Sequence, residues 1–373
     1  MEFLLPFAGY YYFVYWFVVM LMTIKQFNTI NKYPRYEVIE RSIDYKPLLL
    51  FSIFFTIFYG LRPISGRYFV DTVNYATSYN MLQNFGVFNI QGSEDMRKDW
   101  MFFAIEKFCA QIMDVHLWLM LMMCCYIIPM YKGCKQIDKK HGALLMLFCI
   151  GAFEFYSFST NGVRNGIACS IVILAIALLT KKKFIMAAIL SFIAVGFHKS
   201  ALLPVACALF SYFFKNPKIM FISWFSAIGV SLVFGEQIDA FLSVINYDER
   251  LSANLQNDDA DGVILEHRFR WDFLLYSSMP ILLAWYTFFK RKFYDNVYLI
   301  LLGTYMYANS FWVLAIRGIF SNRIAYLSWF IYPIVLAYPL LNFPVFKRYH
   351  SKKTAFILLG HFGFTTILWL LGK

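Results

Sequence analysis

Residues 163–183 read VRNGIACSIVILAIALLTKKK. No residue from Gly166 to Thr180 carries a charge, and the run then stops on Lys181, Lys182 and Lys183. As a helix, the part from Val163 to Thr180 would rise about 27 Å, close to the roughly 30 Å of hydrocarbon in a bilayer. Three lysines at one end mark the cytoplasmic side under the positive-inside bias. The same reading applies along the whole chain. Of 373 residues, 60% are hydrophobic, 21% aromatic and 15% charged, and the mean hydropathy is +0.56. Soluble domains are far less apolar. The chain therefore reads as an all-α polytopic membrane protein, since only a helix satisfies its own backbone in lipid outside a closed barrel.

Apolar runs near residues 7–24, 47–61, 115–131, 142–159, 163–180, 184–198, 200–214, 219–235, 271–289, 296–314, 324–342 and 354–371 predict about twelve transmembrane helices. The first run follows Glu2 rather than a basic segment and shows no small-residue cleavage site, so it reads as a retained span. Basic residues alternate from one connection to the next: Lys25 to Lys46, Lys132 to Lys140, Lys181 to Lys183, Lys215 and Lys218, Lys290 to Lys292, and Lys347 to Lys353. That side is assigned to the cytoplasm, which puts both ends outside. The net charge of +12 is explained by this distribution. No RNA-binding, zinc-finger or arginine-rich segment appears, so nucleic acid is not a partner. The seven cysteines lie in or beside apolar runs without a CxxC pair and read as small apolar residues rather than disulfides or metal ligands.

Two outer loops are long, about 62–100 and 236–270. The first is expected to include an amphipathic stretch, Trp100 to Ile112, lying on the membrane surface with Glu106 and Lys107 interleaved among aromatics. The second is more polar and has the composition of a lid. No repeat or linker divides residues 1–373, which read as a single polytopic membrane domain.

The informative cations are those on the outer side: Arg62, Arg67, Arg164, Lys199, Arg250, Arg268, Arg270, Arg317 and Arg323. Arginine grips phosphate through a planar fork and stays charged in a partly dry site. Any one of these arginines is accounted for by a neighbouring acid or by snorkelling; the set as a whole suits an anion at headgroup level, such as a polyprenyl pyrophosphate. Asn161 and Arg164 share one face at a helix start, with Gly162 and Gly166 allowing close approach. Capping explains Asn161 but leaves Arg164 needing an anion. His198, in FHKSA (197–201), is a candidate base for a sugar hydroxyl, set against the bland alternative of a hydrogen-bonded structural histidine. Glu154 is expected either to pair with an arginine such as Arg164 or to act as a base of raised pKa. Asp71 and Tyr75, four apart, suit sugar hydroxyls, and a cap plus an interface tyrosine is nearly as good an account.

The stretch NDDADG (257–262) opens like a calcium loop, but its twelfth position is Arg268 where a glutamate is needed. Asp259-Ala260-Asp261 is better read as a solvated acidic loop than as a nucleotide-sugar DxD, because nucleotide sugars are absent outside. No Walker A, HExxH, GxSxG or GxGxxG pattern occurs. No metal or cofactor is expected.

Four segments in order resemble the EpsG-type family: Leu61-Arg62 with Gly66-Arg67 and VDTVNY (70–75); NGVRNGIA (161–168); FHKSA (197–201); and NRIAY (322–326). They cover about residues 60 to 330. Asn165 stands where the family pattern has glutamine, and Asn322 where it has glutamate. EpsG-type proteins are grouped with Wzy-type polymerases of bacterial capsule, exopolysaccharide and O-antigen pathways. The resemblance implies a GT-C-like glycosyltransferase in the inner (cytoplasmic) membrane, facing the periplasm. It would transfer a growing glycan from undecaprenyl pyrophosphate to a lipid-linked repeat unit. A chain-length regulator is then an expected partner, besides lipid-linked oligosaccharides and membrane lipid. On this reading Arg164, Arg317, Arg323 and Lys199 bind pyrophosphate. His198, or else Glu154 or Asp71, is the base, and Arg62, Arg67, Tyr75, Asn161, Arg268 and Arg270 bind substrate. An O-antigen ligase-like transferase and a lipid-linked oligosaccharide flippase are the alternatives; a flippase needs polar groups through the full depth of the bundle.

Overall fold

A computed structural model describes residues 8–31, 46–66, 69–85, 99–244, 269–318 and 321–370. Arg67, Arg268 and the acidic stretch 257–262 lie outside them. The described residues are helical with no strand. In chain order the helices are α1 (Ala8–Asn31), α2 (Lys46–Gly60), α3 (Val70–Phe85), α4 (Trp100–Cys109), α5 (Val115–Ile137), α6 (Gly142–Ile150), α7 (Phe153–Thr160) and α8 (Val163–Thr180). They continue as α9 (Phe184–Phe197), α10 (Leu202–Phe213), α11 (Pro217–Val244), α12 (Trp271–Trp285), α13 (Asn296–Leu314), α14 (Ser321–Trp329), α15 (Tyr332–Asn342) and α16 (His350–Leu370).

Seven spans among the described residues are long and apolar enough to cross a membrane, one of them α14 with α15, or eight if α6 and α7, bent by 72°, form one span. The expectation was about twelve. Runs 47–61, 184–198 and 200–214 do fold as apolar helices, but α2, α9 and the segment Lys199–Phe213 are each shorter than 18 residues. At 1.5 Å per residue such helices fall short of the hydrocarbon thickness. Helix α4 is informative for the face it buries. It forms near the expected place, yet Glu106 faces inward at 3% exposure while Phe108 faces outward at 63%. Its buried stripe is Phe102, Glu106 and Cys109, the i, i+4, i+7 face of one helix.

The chain packs as two compact units: Met1–Leu202 with Leu340–Lys373, and Leu203–Pro339. In the first, α8 is the central element, packed on α5, α7 and α9, and it is buried along most of its length. Polar side chains close the joints between helices. Tyr15 Oη donates to Ile150 O at 2.5 Å and Tyr59 Oη to Tyr11 O at 2.6 Å. His361 Nε2 donates to Phe148 O at 2.9 Å, and the Trp369 ring stacks on Tyr12 at 3.6 Å, so α16 is clamped to α1 and α6. Asp138 accepts from His141 Nδ1 at 2.8 Å and from Asn342 Nδ2 at 2.9 Å.

In the second unit the joint is one amide. Asn309 Oδ1 accepts from Trp224 Nε1 at 2.8 Å, and its Nδ2 donates to Ser277 Oγ and Ser328 Oγ at 3.2 and 3.0 Å. Trp329 Nε1 donates to the same Ser277 hydroxyl at 2.8 Å. This ties α11, α12, α13 and α14 together with the buried polar groups satisfied, as an apolar interior requires. The loop expected over 236–270 is helical as far as Val244, beyond a break at Phe234 (φ −120°, ψ 22°).

A β-carbon on Gly133 would sit 2.7 Å from Ile173 Cγ2 and 3.1 Å from the Leu174 nitrogen. We therefore expect Gly133→Val to cost about 1–3 kcal/mol by forcing α5 off α8. Gly229, with nothing within 4 Å, is the control: Gly229→Ala should stabilise α11 by about 0.5–1 kcal/mol. Thermal melting of the two variants in detergent checks both signs.

Candidate active site

The site in the first unit is organised by a residue outside all four motif segments. Asp99, the residue before α4, is buried. Its Oδ2 accepts from Arg164 Nη1 at 2.8 Å and from His198 Nδ1 at 3.2 Å, and its Oδ1 accepts from the Lys199 backbone nitrogen at 3.0 Å. One carboxylate thus joins three chain segments.

Local sequence explains why they meet. Gly162 precedes α8 and leaves Arg164 in its first turn. Gly166 lets α8 lie against Phe158 of α7, whose Cβ would be 2.7 Å from any added β-carbon. Gly196 does the same for α9 and α4, since a β-carbon there would meet Trp100 Cε2 and Cζ2 at 2.9 Å. His198 then leaves α9 in an extended conformation (φ −155°, ψ 118°), which turns the Lys199 N–H toward Asp99. The Lys199 side chain itself is exposed.

Burial pushes the Asp99 carboxyl up, but the His198 hydrogen bond, the charges of His198 and Arg164, and the Lys199 N–H together hold it below the ordinary aspartate range. An ionised Asp99 makes Nδ1 of His198 the protonated nitrogen. The lone pair is then on Nε2, which has no hydrogen-bond partner among the described residues. The imidazole is 30% exposed and the Arg164 side chain 27%, so both reach solvent. Arg164 also lies over the rings of Tyr75 and Phe102, each centroid 5.9 Å from its Cζ.

The remaining expected residues divide in two. Tyr75 is buried and donates to the Asn161 carbonyl at 3.2 Å, which ties α3 to the α7–α8 junction. The Asn161 Oδ1 is buried with no partner among the described residues. Asp71 is half-buried in the first turn of α3. Arg62 is wholly buried, its donors spent on Thr72 Oγ1 (2.9 Å), Tyr59 O (2.7 Å) and Thr160 O (3.4 Å); it orders the frame around the site. Glu154 is buried in the first turn of α7, and its Oε2 has no partner among the described residues. Its surroundings are Tyr15, Tyr126, Cys149 and Cys169; the ion pair expected between Glu154 and Arg164 goes instead to Asp99.

Arg270, Arg317 and Arg323 belong to the second unit. Arg270 pairs with Asp272 through two hydrogen bonds of 3.0 and 2.9 Å and lies 3.6 Å over the Phe273 ring. Arg317 is half-buried beside Gly235 and Phe269, its Nε without a partner among the described residues. Arg323 is half-buried in the first turn of α14.

Asp99→Asn should leave an acceptor for one N–H but lose the ion pair, a cost of about 2 kcal/mol. Because the folded-state pKa lies below the ordinary value, this contribution is complete above about pH 4 and is lost as pH falls through the folded value. Melting curves at pH 7 should separate the variant from the parent, and the gap should narrow below pH 4.

No curated protein and no solved structure matches the chain. The family model described as EpsG family matches residues 45–373, which takes in all four motif segments. This multi-pass membrane protein belongs to the EpsG family.

Proposed function

We propose that the protein is a polysaccharide polymerase that moves a growing glycan from undecaprenyl pyrophosphate to a lipid-linked repeat unit at the outer face of the cytoplasmic membrane. The observation that carries the reading is the Asp99–His198 hydrogen bond with Arg164 on the same carboxylate. It pairs a base of fixed tautomer with a phosphate-binding cation. The alternation of lysines and arginines between connections supports the orientation. Family membership supports the reaction class.

In the proposed step, His198 Nε2 takes the proton from the acceptor hydroxyl as its oxygen attacks the anomeric carbon of the donor sugar. The bond from that carbon to the pyrophosphate oxygen breaks, and its electron pair stays on the leaving group. Arg164 meets the charge that grows there. Asp99 keeps the imidazole oriented and stabilises the imidazolium that forms, and Lys199 adds an exposed positive charge next to it. Tyr75, Asn161 and Asp71 present polar groups for sugar hydroxyls. The pyrophosphate linkage already activates the donor, so no nucleotide is consumed. Arg317 and Arg323 are candidate anion-binding residues of their own unit, and Arg270 a candidate substrate contact. A chain-length regulator would act on the outer loops.

Reporter fusions after Lys183 and Lys292 should read cytoplasmic, and fusions within 240–265 should read external. A cytoplasmic readout for 240–265 overturns the orientation.

His198→Ala should lower chain extension by about 10²–10⁴-fold while abundance and melting temperature stay near the parent's. Arg164→Lys keeps the charge but loses the fork, and should also be severely impaired. Product-length profiles of a deletion strain carrying each variant measure this. Single-repeat products support the polymerase; a complete absence of glycan on the lipid core points to a ligase. Near-normal polymer from a stable His198→Ala protein removes the histidine from the mechanism.

A further inference from the structure

Several buried glycines of this protein are explained by helix packing. A β-carbon on Gly133, Gly166, Gly196 or Gly303 would meet a neighbouring helix. Gly235 is different. It is buried in α11, one residue beyond the break at Phe234. The three atoms nearest to a β-carbon there all belong to Arg317: Nε at 2.5 Å, Cδ at 2.6 Å and Cζ at 3.3 Å. No other described glycine has the head of an arginine or lysine among its three nearest atoms. The non-helical angles of α11 belong to Phe234, so the backbone at Gly235 does not itself require a glycine. Inside a helix, glycine costs stability against alanine. What it provides here is a notch in the surface of α11 that takes the end of an arginine side chain.

Arg317 follows α13, at the end away from Lys290, Arg291 and Lys292. Its Cζ also lies 5.8 Å from the centre of the Phe269 ring, which is buried and packs on Trp271. The guanidinium is thus held by α11 and by the segment before α12. Arg62 spends its donors on a hydroxyl and two carbonyls, Arg164 meets Asp99, and Arg270 meets Asp272. Arg317 makes no hydrogen bond or ion pair among the described residues, and its Nε is buried. A half-buried cation without a counter-charge is costly. With Cδ, Nε and Cζ in the notch, the nitrogens left to a ligand are Nη1 and Nη2. Together they form a fork that grips two phosphate oxygens at once.

We propose that Gly235 is a positioning residue: its notch fixes the Arg317 guanidinium so that the fork holds the pyrophosphate of a lipid-linked substrate. The proposal rests on reading that substrate as a lipid pyrophosphate, and it gives the second unit an anion site of its own. A β-carbon at position 235 displaces the end of a flexible side chain rather than a helix. Gly235→Ala therefore keeps the fold and loses the site. A glycine needed merely for the break at Phe234 has the opposite signature: the fold weakens, and binding falls in proportion to the folded fraction.

The test uses the full chain in phosphatidylcholine nanodiscs and a farnesyl-diphosphoryl-N-acetylglucosamine probe. Calorimetric affinity is measured for the parent, Gly235→Ala, Arg317→Ala, the double variant and Gly229→Ala. The series is repeated with Arg164→Ala, so that binding at that residue does not mask a difference; where Arg164→Ala does not accumulate, the first series decides. Arg317→Ala should weaken binding about tenfold or more, by loss of charge-assisted hydrogen bonds. Gly235→Ala should weaken it to a similar extent. The double variant should bind no worse than Arg317→Ala, because the glycine acts through the arginine. Gly229→Ala should bind like the parent. Without probe, Gly235→Ala should melt at or above the parent's temperature. Parent-like binding by Gly235→Ala, an additive double variant, a lowered melting temperature or a failure to accumulate overturns the positioning role. Parent-like binding by Arg317→Ala overturns the anion site of this unit and leaves the substrate reading standing. Phosphatidylglycerol added to the nanodiscs should leave the affinity unchanged; loss of the Arg317-dependent binding assigns the fork to a phospholipid headgroup and overturns the proposal. A parent that does not bind the probe overturns the substrate reading and this proposal together.

Discussion

A single buried carboxylate holds the candidate site together. Asp99 comes from the segment before α4, Arg164 from the first turn of α8, and His198 and Lys199 from the end of α9. Three donors, one a permanent cation, offset the desolvation of the charge, and the carboxyl stays ionised. The dependence is mutual. Without Asp99 the imidazole has no fixed tautomer, and the Arg164 fork loses its ion pair with that carboxylate.

The rest of the first unit serves this contact by bringing backbones close. Gly166 and Gly196 sit where α8 and α9 approach α7 and α4. Arg62 uses its guanidinium on the frame, binding Thr72 and two main-chain carbonyls rather than presenting itself to solvent. Two arginines of similar sequence setting therefore have different physical roles. The wholly buried one is satisfied by neutral acceptors, and the quarter-exposed one is balanced by a carboxylate.

Inward polar groups on apolar helices recur in both units. Asn309 in the second unit and Asp138 in the first gather donors from distant parts of the chain. Where lipid is as apolar as leucine, hydrogen bonds and close packing must specify which helices meet. Glu106 and Glu154 differ, since each keeps one oxygen without such a partner among the described residues.

The sequence by itself determined the helical membrane class, because runs such as 163–180 are too apolar and too regularly bounded by lysine for any soluble fold. It also determined the family, because NGVRNGIA and FHKSA stand in order with Arg164 and His198 in place. Both are local signals. Tertiary structure alone decided that these two residues share Asp99, which lies 65 positions from Arg164 and 99 from His198. No periodicity encodes contacts at such separations. Asp99 belongs to none of the motif segments. The inward turn of Glu106 was likewise hidden, because the face that α4 buries is set by its packing on α3 and α9. Span number rests on more than hydropathy. Hydropathy counts apolar residues, whereas crossing depends on unbroken helical length, and that is set by where neighbouring helices bend and cap the chain.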